Sequence, residues 1–242
     1  MITRSRAIVL SVIRYGDDKL ICRLLTEQDG CVSFMVRRGR GRGSRHRLFR
    51  PLAMLSVEWD KTARDRLVHP KSVTPLETYA TIPYEPEKAS VAMFLCEFLN
   101  AALRKEPPGG GLFSFVENAL RFYDRVSDRH ANFHLVFLLN LSAFLGLQPD
   151  AGGYTTGSHF DMRDGCFTPH CPQHPDFIPP QEASALPALL RMNFANMHLF
   201  RLNGRERSRL LQYLVAYYRL HVPDFPELKS LQVLRDIWDT EA

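Results

Sequence analysis

The chain has 242 residues, long enough for two domains, and 45% of them are hydrophobic, enough for a sizeable core. Lysine and arginine outnumber the acids 31 to 26, a net charge of +5 with a pI near 9.0, which points to a polyanion only if it is concentrated somewhere. The five cysteines are odd in number and sit mostly in apolar runs, which argues against a disulfide framework and for reduced thiols in the cytosol.

No secretory signal opens the sequence, because Arg14 and Asp17 break the first apolar run. The first eighty residues have the texture of strands. Ala7–Ile13 and Leu20–Thr26 are short apolar runs separated by the turn signal Tyr15-Gly16-Asp17-Asp18. After Asp29-Gly30, the stretch Cys31–Val36 alternates Val32, Phe34 and Val36 with Ser33 and Met35. Leu52–Trp59 puts Leu55, Val57 and Trp59 on one face, and Arg66–Thr78 is a weaker strand interrupted by Pro70 and Pro75. Four strands and a broken fifth predict a small closed barrel over residues 1–80, since closure removes exposed sheet edges.

Residues 81–242 read as helical. Glu87–Arg104 carries Ala89, Met93, Cys96 and Leu99 near one stripe, and Leu112–Tyr123 has amphipathic spacing. Phe133–Leu147 is apolar nearly all round, too short to span a bilayer and suited to the centre of a bundle. Residues 148–180 are rich in Gly, Pro and His and read as an irregular insertion. Helical spacing returns at Gln181–Arg191 and at Arg205–His221, where Asn203 and Glu206 form a capping-box pattern before Leu210, Leu211, Leu214, Val215 and Tyr218. The expected class is α+β, a β-barrel followed by a helical bundle, in a soluble cytoplasmic protein.

Charge concentrates in one place. Between Val36 and Pro51 lie Arg37, Arg38, Arg40, Arg42, Arg45, Arg47 and Arg50 with three glycines, and no acid occurs between Asp29 and Glu58. Guanidinium forks match phosphate geometry, and glycines let the backbone follow an uneven anion. Strands flank both ends, so the stretch reads as a loop on a scaffold; the alternative is a solvated solubilising loop. Arg14, Lys19, Lys61 and Arg64 occupy neighbouring loop positions that extend the positive track. Tyr15, in a turn, is the best candidate to stack on an unpaired base, whereas period-two placement assigns Phe34 and Trp59 to the core. A second basic set lies on helices: Arg121 and Arg125 at one helix end, and Arg205, Arg209 and Arg219 on one face of another. These read either as an ordinary solvated face or as a receptor for an acidic partner segment.

Cys166, His170, Cys171 and His174 crowd nine residues, and zinc is a weak reading of them, because structural zinc usually joins two separated ligand pairs. No catalytic motif is present, and Asp161 and Asp164 near His159 are a thin basis for hydrolysis. No cofactor and no enzymatic activity are expected.

The order RAIVLSVIRYGDDKLICRLLTEQDGCVSFMVRRG, a basic loop and FRPLAMLSVEW resembles the start of the RecO family of bacterial recombination mediators. The segments FLCEFLNAALRKEPPGGGLFSFVENALRFYD, FLLNLSAFLGLQPD and YYRLHVPDFPELKSLQVLRDIW are similar to its helices, including Lys229, Ser230 and Leu234 of its closing segment. The resemblance implies an N-terminal oligonucleotide-binding (OB) barrel joined to a helical domain, without catalytic turnover. It implies binding of single- and double-stranded DNA, annealing of complementary strands, and help for RecA, with RecR, in replacing the single-strand-binding protein SSB. It further implies that the acidic tail of SSB docks on the helical domain, and that some members carry a four-cysteine zinc site within 148–180, where this chain lacks the first cysteine pair. An RNA-binding protein of translation and a pure recruitment adaptor are the alternatives.

Overall fold

The computed structural model describes residues 2–39, 45–60, 67–104, 109 and 111–240, with side chains described as far as 234. Two compact units emerge, Met1–Arg125 with Leu228–Leu234, and Val126–Glu227 with Arg235–Ala242.

The first unit is built on strand β1 (Ile2–Tyr15), whose fourteen residues serve two partners. Ile2–Ile8 pair with β4 (Met54–Asp60), and Ala7–Tyr15 pair with β2 (Lys19–Thr26), with a bulge between Val9 and Ser11. Such a bulge adds one residue and bends the strand. The carbonyl of Leu10 left at the bulge accepts from the Cys96 thiol at 3.0 Å. Strand β3 (Gly30–Arg37) lies beyond β2, and β5 (Pro70–Pro75) beyond β4. Alternate residues face one core of Cys22, Leu24, Phe34, Leu55, Val57, Trp59 and Val73, in which Phe34 and Trp59 meet edge to face at 5.3 Å.

All five expected strands are present, but the expected OB barrel is not. The sheet order is β3-β2-β1-β4-β5, open, with β3 and β5 as its edges. Among the described residues a single parallel bridge, Phe34 to Val68, approaches closure: Met35 N–H donates to Val68 O at 2.8 Å and Val68 N–H to Ser33 O at 2.9 Å. Beyond it β5 begins and ends in proline, which has no N–H to give a ladder, so pairing does not continue.

Helix α1 (Pro86–Ala102) packs against β1, burying Val91, Leu95 and Phe98 and leaving Met93 58% exposed. Its C-terminal carbonyls are capped by Arg23, which donates to Asn100 O and Leu103 O at 3.1 and 3.0 Å. Helix α2 (Leu112–Arg125) contributes the buried Glu117, which accepts from Arg6 at 2.6 and 2.7 Å and from Arg121 at 3.1 Å.

In the second unit, α3 (Phe133–Phe144) is buried almost all round. Residues 148–180, expected to be irregular, instead carry a small sheet ordered β7-β6-β8, from β6 (His159–Asp161), β7 (Cys166–Thr168) and β8 (Phe177–Ile178). Gly165 makes the turn into β7 at φ +67°, and a Cβ there would stand 2.6 Å from the Tyr217 hydroxyl. The helical spacing at 181–191 resolves into α4 (Pro180–Ala183) and α5 (Leu186–Leu189). Helix α6 (Gly204–His221) starts with both hydrogen bonds of the Asn203–Glu206 capping box and buries Leu211, Val215 and Tyr218, while Leu210 and Leu214 line an apolar pocket of this unit. Helix α7 (Lys229–Thr240) closes the chain; Glu97 accepts from the backbone N–H groups of Lys229 and Ser230 at 3.1 and 2.8 Å, a carboxylate at a helix N-terminus. Among the described residues, no helix is long and apolar enough to cross a membrane.

Candidate nucleic-acid interface

The turn between β1 and β2 relies on Gly16 at φ +66°. The resulting register places Tyr15 opposite Lys19, and Lys19 opposite Arg37. Residues directly opposite in an antiparallel ladder project to the same face, so these three share one surface. It is the face turned away from Phe34 and Trp59. Arg14, one residue earlier, lies on the other face of β1. Arg38 follows the end of β3, where its N–H donates to Asp18 O at 2.6 Å. Four cations therefore meet at one end of the sheet, moderated by the exposed carboxylates Asp17 and Asp18. Tyr15 is 54% exposed there, and Ile13, two residues earlier on the same face, is 60% exposed. Ile13 was not singled out from the sequence, although its i, i+2 relation to Tyr15 was available.

Arg45–Leu48 forms a 3-10 turn. Phe49 inserts into the sheet core at 5% exposure, with Leu48 packed beside it. Arg45 donates to Lys71 O at 2.9 Å and Arg50 to Arg47 O at 3.2 Å, which leaves Arg47 projecting into solvent. The turn ends at Leu52, a non-glycine residue at φ +58°. A left-handed leucine costs about 1–2 kcal/mol, offset here by three bonds: Leu52 N–H donates to Val9 O at 2.9 Å, Val9 N–H donates to Ala53 O at 3.1 Å, and the Tyr79 hydroxyl donates to Leu52 O at 2.8 Å. Arg40, Arg42, Lys61 and Arg64 lie outside the described residues.

Cations of the first unit divide by pairing. Arg6 binds Glu27 and Glu117, Arg121 binds Glu77 at 2.8 Å and Glu117, and Lys71 binds Asp60 at 2.8 Å. The Arg6 hydrogen bond holds the Glu27 carboxyl below its ordinary range. Among the described residues, Arg14, Lys19, Arg37, Arg38 and Arg47 form no ion pair. Only unpaired cations can neutralise a phosphate without first breaking a protein contact.

The other basic residues fall in separate places. Arg125 is exposed at the end of α2 in the first unit. Arg205, Arg209 and Arg219 are exposed on α6 in the second, where Arg209 donates to Glu182 at 2.8 Å. The four zinc candidates are not gathered. Cys166 lies half-buried on β7, its thiol pKa raised by burial and by Asp164, Asp161 and Asp150. His170 and Cys171 are exposed, and His174 contacts Asp161 at 3.1 Å. Among the described residues, no group of three or more His, Cys, Asp or Glu side chains is arranged to hold a metal.

Comparison with known proteins adds the lineage of this architecture. Residues 1–79 match the family model described as recombination protein O N terminal, and residues 83–232 match recombination protein O C terminal. The chain is 42% identical over 240 residues to DNA repair protein RecO of Phocaeicola vulgatus, covering 98% of this chain and 100% of that protein. It is 41% identical to DNA repair protein RecO of Bacteroides fragilis over 242 residues, and 37% identical to that of Porphyromonas gingivalis over 245, each alignment covering 99% of this chain and 100% of the relative. With both halves matched and full-length relatives above 30% identity, the chain belongs to the recombination protein O (RecO) family.

Proposed function

We propose that this protein is a non-enzymatic, DNA-binding recombination mediator in DNA repair, and that its N-terminal region, residues 1–80, holds DNA through the phosphate backbone. The observation that carries this reading is the set of unpaired cations Arg14, Lys19, Arg37 and Arg38 beside the exposed Tyr15, next to the ordered Arg45–Arg50 turn. Backbone contacts carry little sequence information and leave base edges free to pair, which is what annealing complementary strands requires. Arg40, Arg42, Lys61 and Arg64 complete the proposed track.

The same reading assigns RecR as co-mediator, RecA as the indirect beneficiary, and the acidic tail of SSB as a ligand of the helical region of residues 81–242. Arg125, Arg205, Arg209 and Arg219 are the proposed receptors; Arg209, bound to Glu182, and Arg121, bound to Glu77 and Glu117, would have to exchange those bonds. The decisive test anneals SSB-coated complementary strands with wild type and with R37A/R38A. Annealing by wild type that is strongly reduced in the variant supports the proposal; equal annealing by both rejects the assigned surface.

A further inference from the structure

The arginine turn ends on a residue whose backbone is held in an unfavourable conformation. Leu52, fully buried, sits in the left-handed region at φ +58°, where a Cβ crowds the following carbonyl. The turn runs into it through short bonds: Arg50 N–H donates to Leu48 O and Ala53 N–H to Arg50 O, each at 3.0 Å. Leu52 N–H donates to Val9 O, and Leu52 O accepts from the Tyr79 hydroxyl at 2.8 Å. A buried carbonyl that loses such a donor forfeits the bond and stays desolvated.

Tyr79 belongs to an irregular segment between β5 and α1, yet α2 places it from both sides. Glu77, two residues before it, accepts from Arg121 at 2.8 Å. The Asp124 carboxylate accepts from the N–H groups of Ala80, Thr81 and Ile82, directly after it, at 2.8, 2.8 and 3.0 Å. Tyr79 lines the same groove as Arg47, Leu48, Arg50 and Pro51. Burial first, then Glu77 and Asp124, raises its phenol pKa far above the ordinary value, so the hydroxyl stays protonated and able to donate.

We infer that Tyr79 is a positioning residue for the DNA contact: its hydroxyl, aimed by α2, fixes Leu52 and thereby the direction in which Arg47 leaves the turn. The inference rests on the DNA reading and deepens it. Of the three arginines in the turn, Arg45 is bonded to Lys71 O and Arg50 to Arg47 O, so Arg47 is the one the turn presents. A cation held in its binding geometry meets a phosphate without a further ordering cost. Without the bond to Leu52, the turn has to be ordered at the moment of binding, and the Arg47 contact weakens.

The test compares Y79F, R47A and Y79F/R47A in the full chain. The control is Y218F, which removes a bond of the same kind, Tyr218 hydroxyl to Leu138 O at 2.8 Å, from the second unit. Without DNA, hydrogen exchange read by mass spectrometry should be faster in Y79F over residues 45–53 and unchanged over β2. With a labelled single-stranded oligonucleotide, R47A should weaken binding about fivefold at about 0.1 M salt and reduce the salt slope by about 0.7, the share of one phosphate. Y79F should do the same although it keeps every cation, and the double variant should match R47A within about twofold. Y218F should lower the melting midpoint and keep the wild-type slope. The inference is overturned if Y79F keeps the wild-type slope while R47A does not, or if the two losses multiply in the double variant. Unchanged exchange over residues 45–53 in Y79F overturns it as well. If R47A also keeps the wild-type slope, or wild type fails to bind DNA, the DNA reading of the turn is rejected and the positioning role with it. Faster exchange in Y79F would then mark Tyr79 as a structural latch alone.

Discussion

Replacing Arg37 and Arg38 together by alanine isolates the electrostatic part of the proposed DNA interface. Each phosphate of a single strand that is neutralised contributes about −0.7 to the slope of log affinity against log salt, so Arg14, Lys19, Arg37, Arg38 and Arg47 contribute about −3.5 together. R37A/R38A brings that share to about −2.1, so a rise from about 50 to about 200 mM salt weakens wild type by about 100-fold and the variant by about 20-fold. Arg40, Arg42, Lys61 and Arg64 add to both slopes alike, which makes the difference of about 1.4 the tested quantity. Fluorescence anisotropy with a labelled oligonucleotide at several salt concentrations measures it. K71A is the control, because Lys71 is already paired with Asp60 and releases no counterion on binding. Parallel slopes for wild type and R37A/R38A would refute the assignment of this surface.

Three further outcomes follow from the second unit. G165A should lower its melting midpoint, since left-handed backbone costs alanine about 1–2 kcal/mol and overlap with the Tyr217 hydroxyl adds to it. Y217F in the same chain should recover the overlap part only, and unchanged melting in G165A would contradict the turn geometry. His134 on α3 is pushed down to about 3 from its ordinary 6.5, chiefly by burial and further by Arg207. Between about pH 3 and pH 6.5 it is therefore neutral when folded but protonated when unfolded, so stability is full above about pH 6.5 and falls as pH drops through that window, by about 1.4 kcal/mol per pH unit. Denaturant midpoints at about pH 7 and about pH 5 should show a smaller acid loss in H134L than in wild type; equal losses would remove His134 as the cause. R205E/R209E should abolish binding of an acidic SSB-tail peptide, measured by calorimetry, and retained affinity would exclude this face of α6.

The strands of the first unit were legible because alternation of Val, Phe and Trp with polar residues encodes a face directly. Closure was not legible, since it depends on what β3 and the start of β5 do across the sheet. Pro70 and Pro75 were the visible hint, and they weighed more than the edge-protection argument allowed. Strands β6, β7 and β8 span two or three residues each, too few to show any period. Arg121 illustrates a different gap. Its spacing from Glu117 is i, i+4, a pairing signal present in the sequence. Its bond to Glu77 crosses 44 residues and needed the fold. Leu48 and Phe49, two apolar residues inside the basic stretch, were not singled out in the sequence, yet they anchor the turn, with Phe49 buried in the sheet core.

Pairing state, more than the number of basic residues, determines which cations can serve DNA. Arg6 donates to the buried Glu117 and to Glu27, and its guanidinium lies 5.3 Å from the Phe113 ring centre. Removing it leaves Glu117, 3% exposed, with Arg121 as its remaining ion-pair partner among the described residues. Breaking one side of a buried ion pair costs about 3–5 kcal/mol, reduced here because Arg6 itself is 37% exposed and solvent screens part of the interaction. No counterion is released when DNA arrives at a guanidinium already neutralised in this way. R6A should therefore lower the melting midpoint while leaving the salt slope within error of wild type, and R37A/R38A should do the reverse. If R6A flattened the salt slope as much as R37A/R38A does, the division between scaffold cations and contact cations would fail, and with it the reason for placing DNA at the Tyr15–Arg38 end of the sheet.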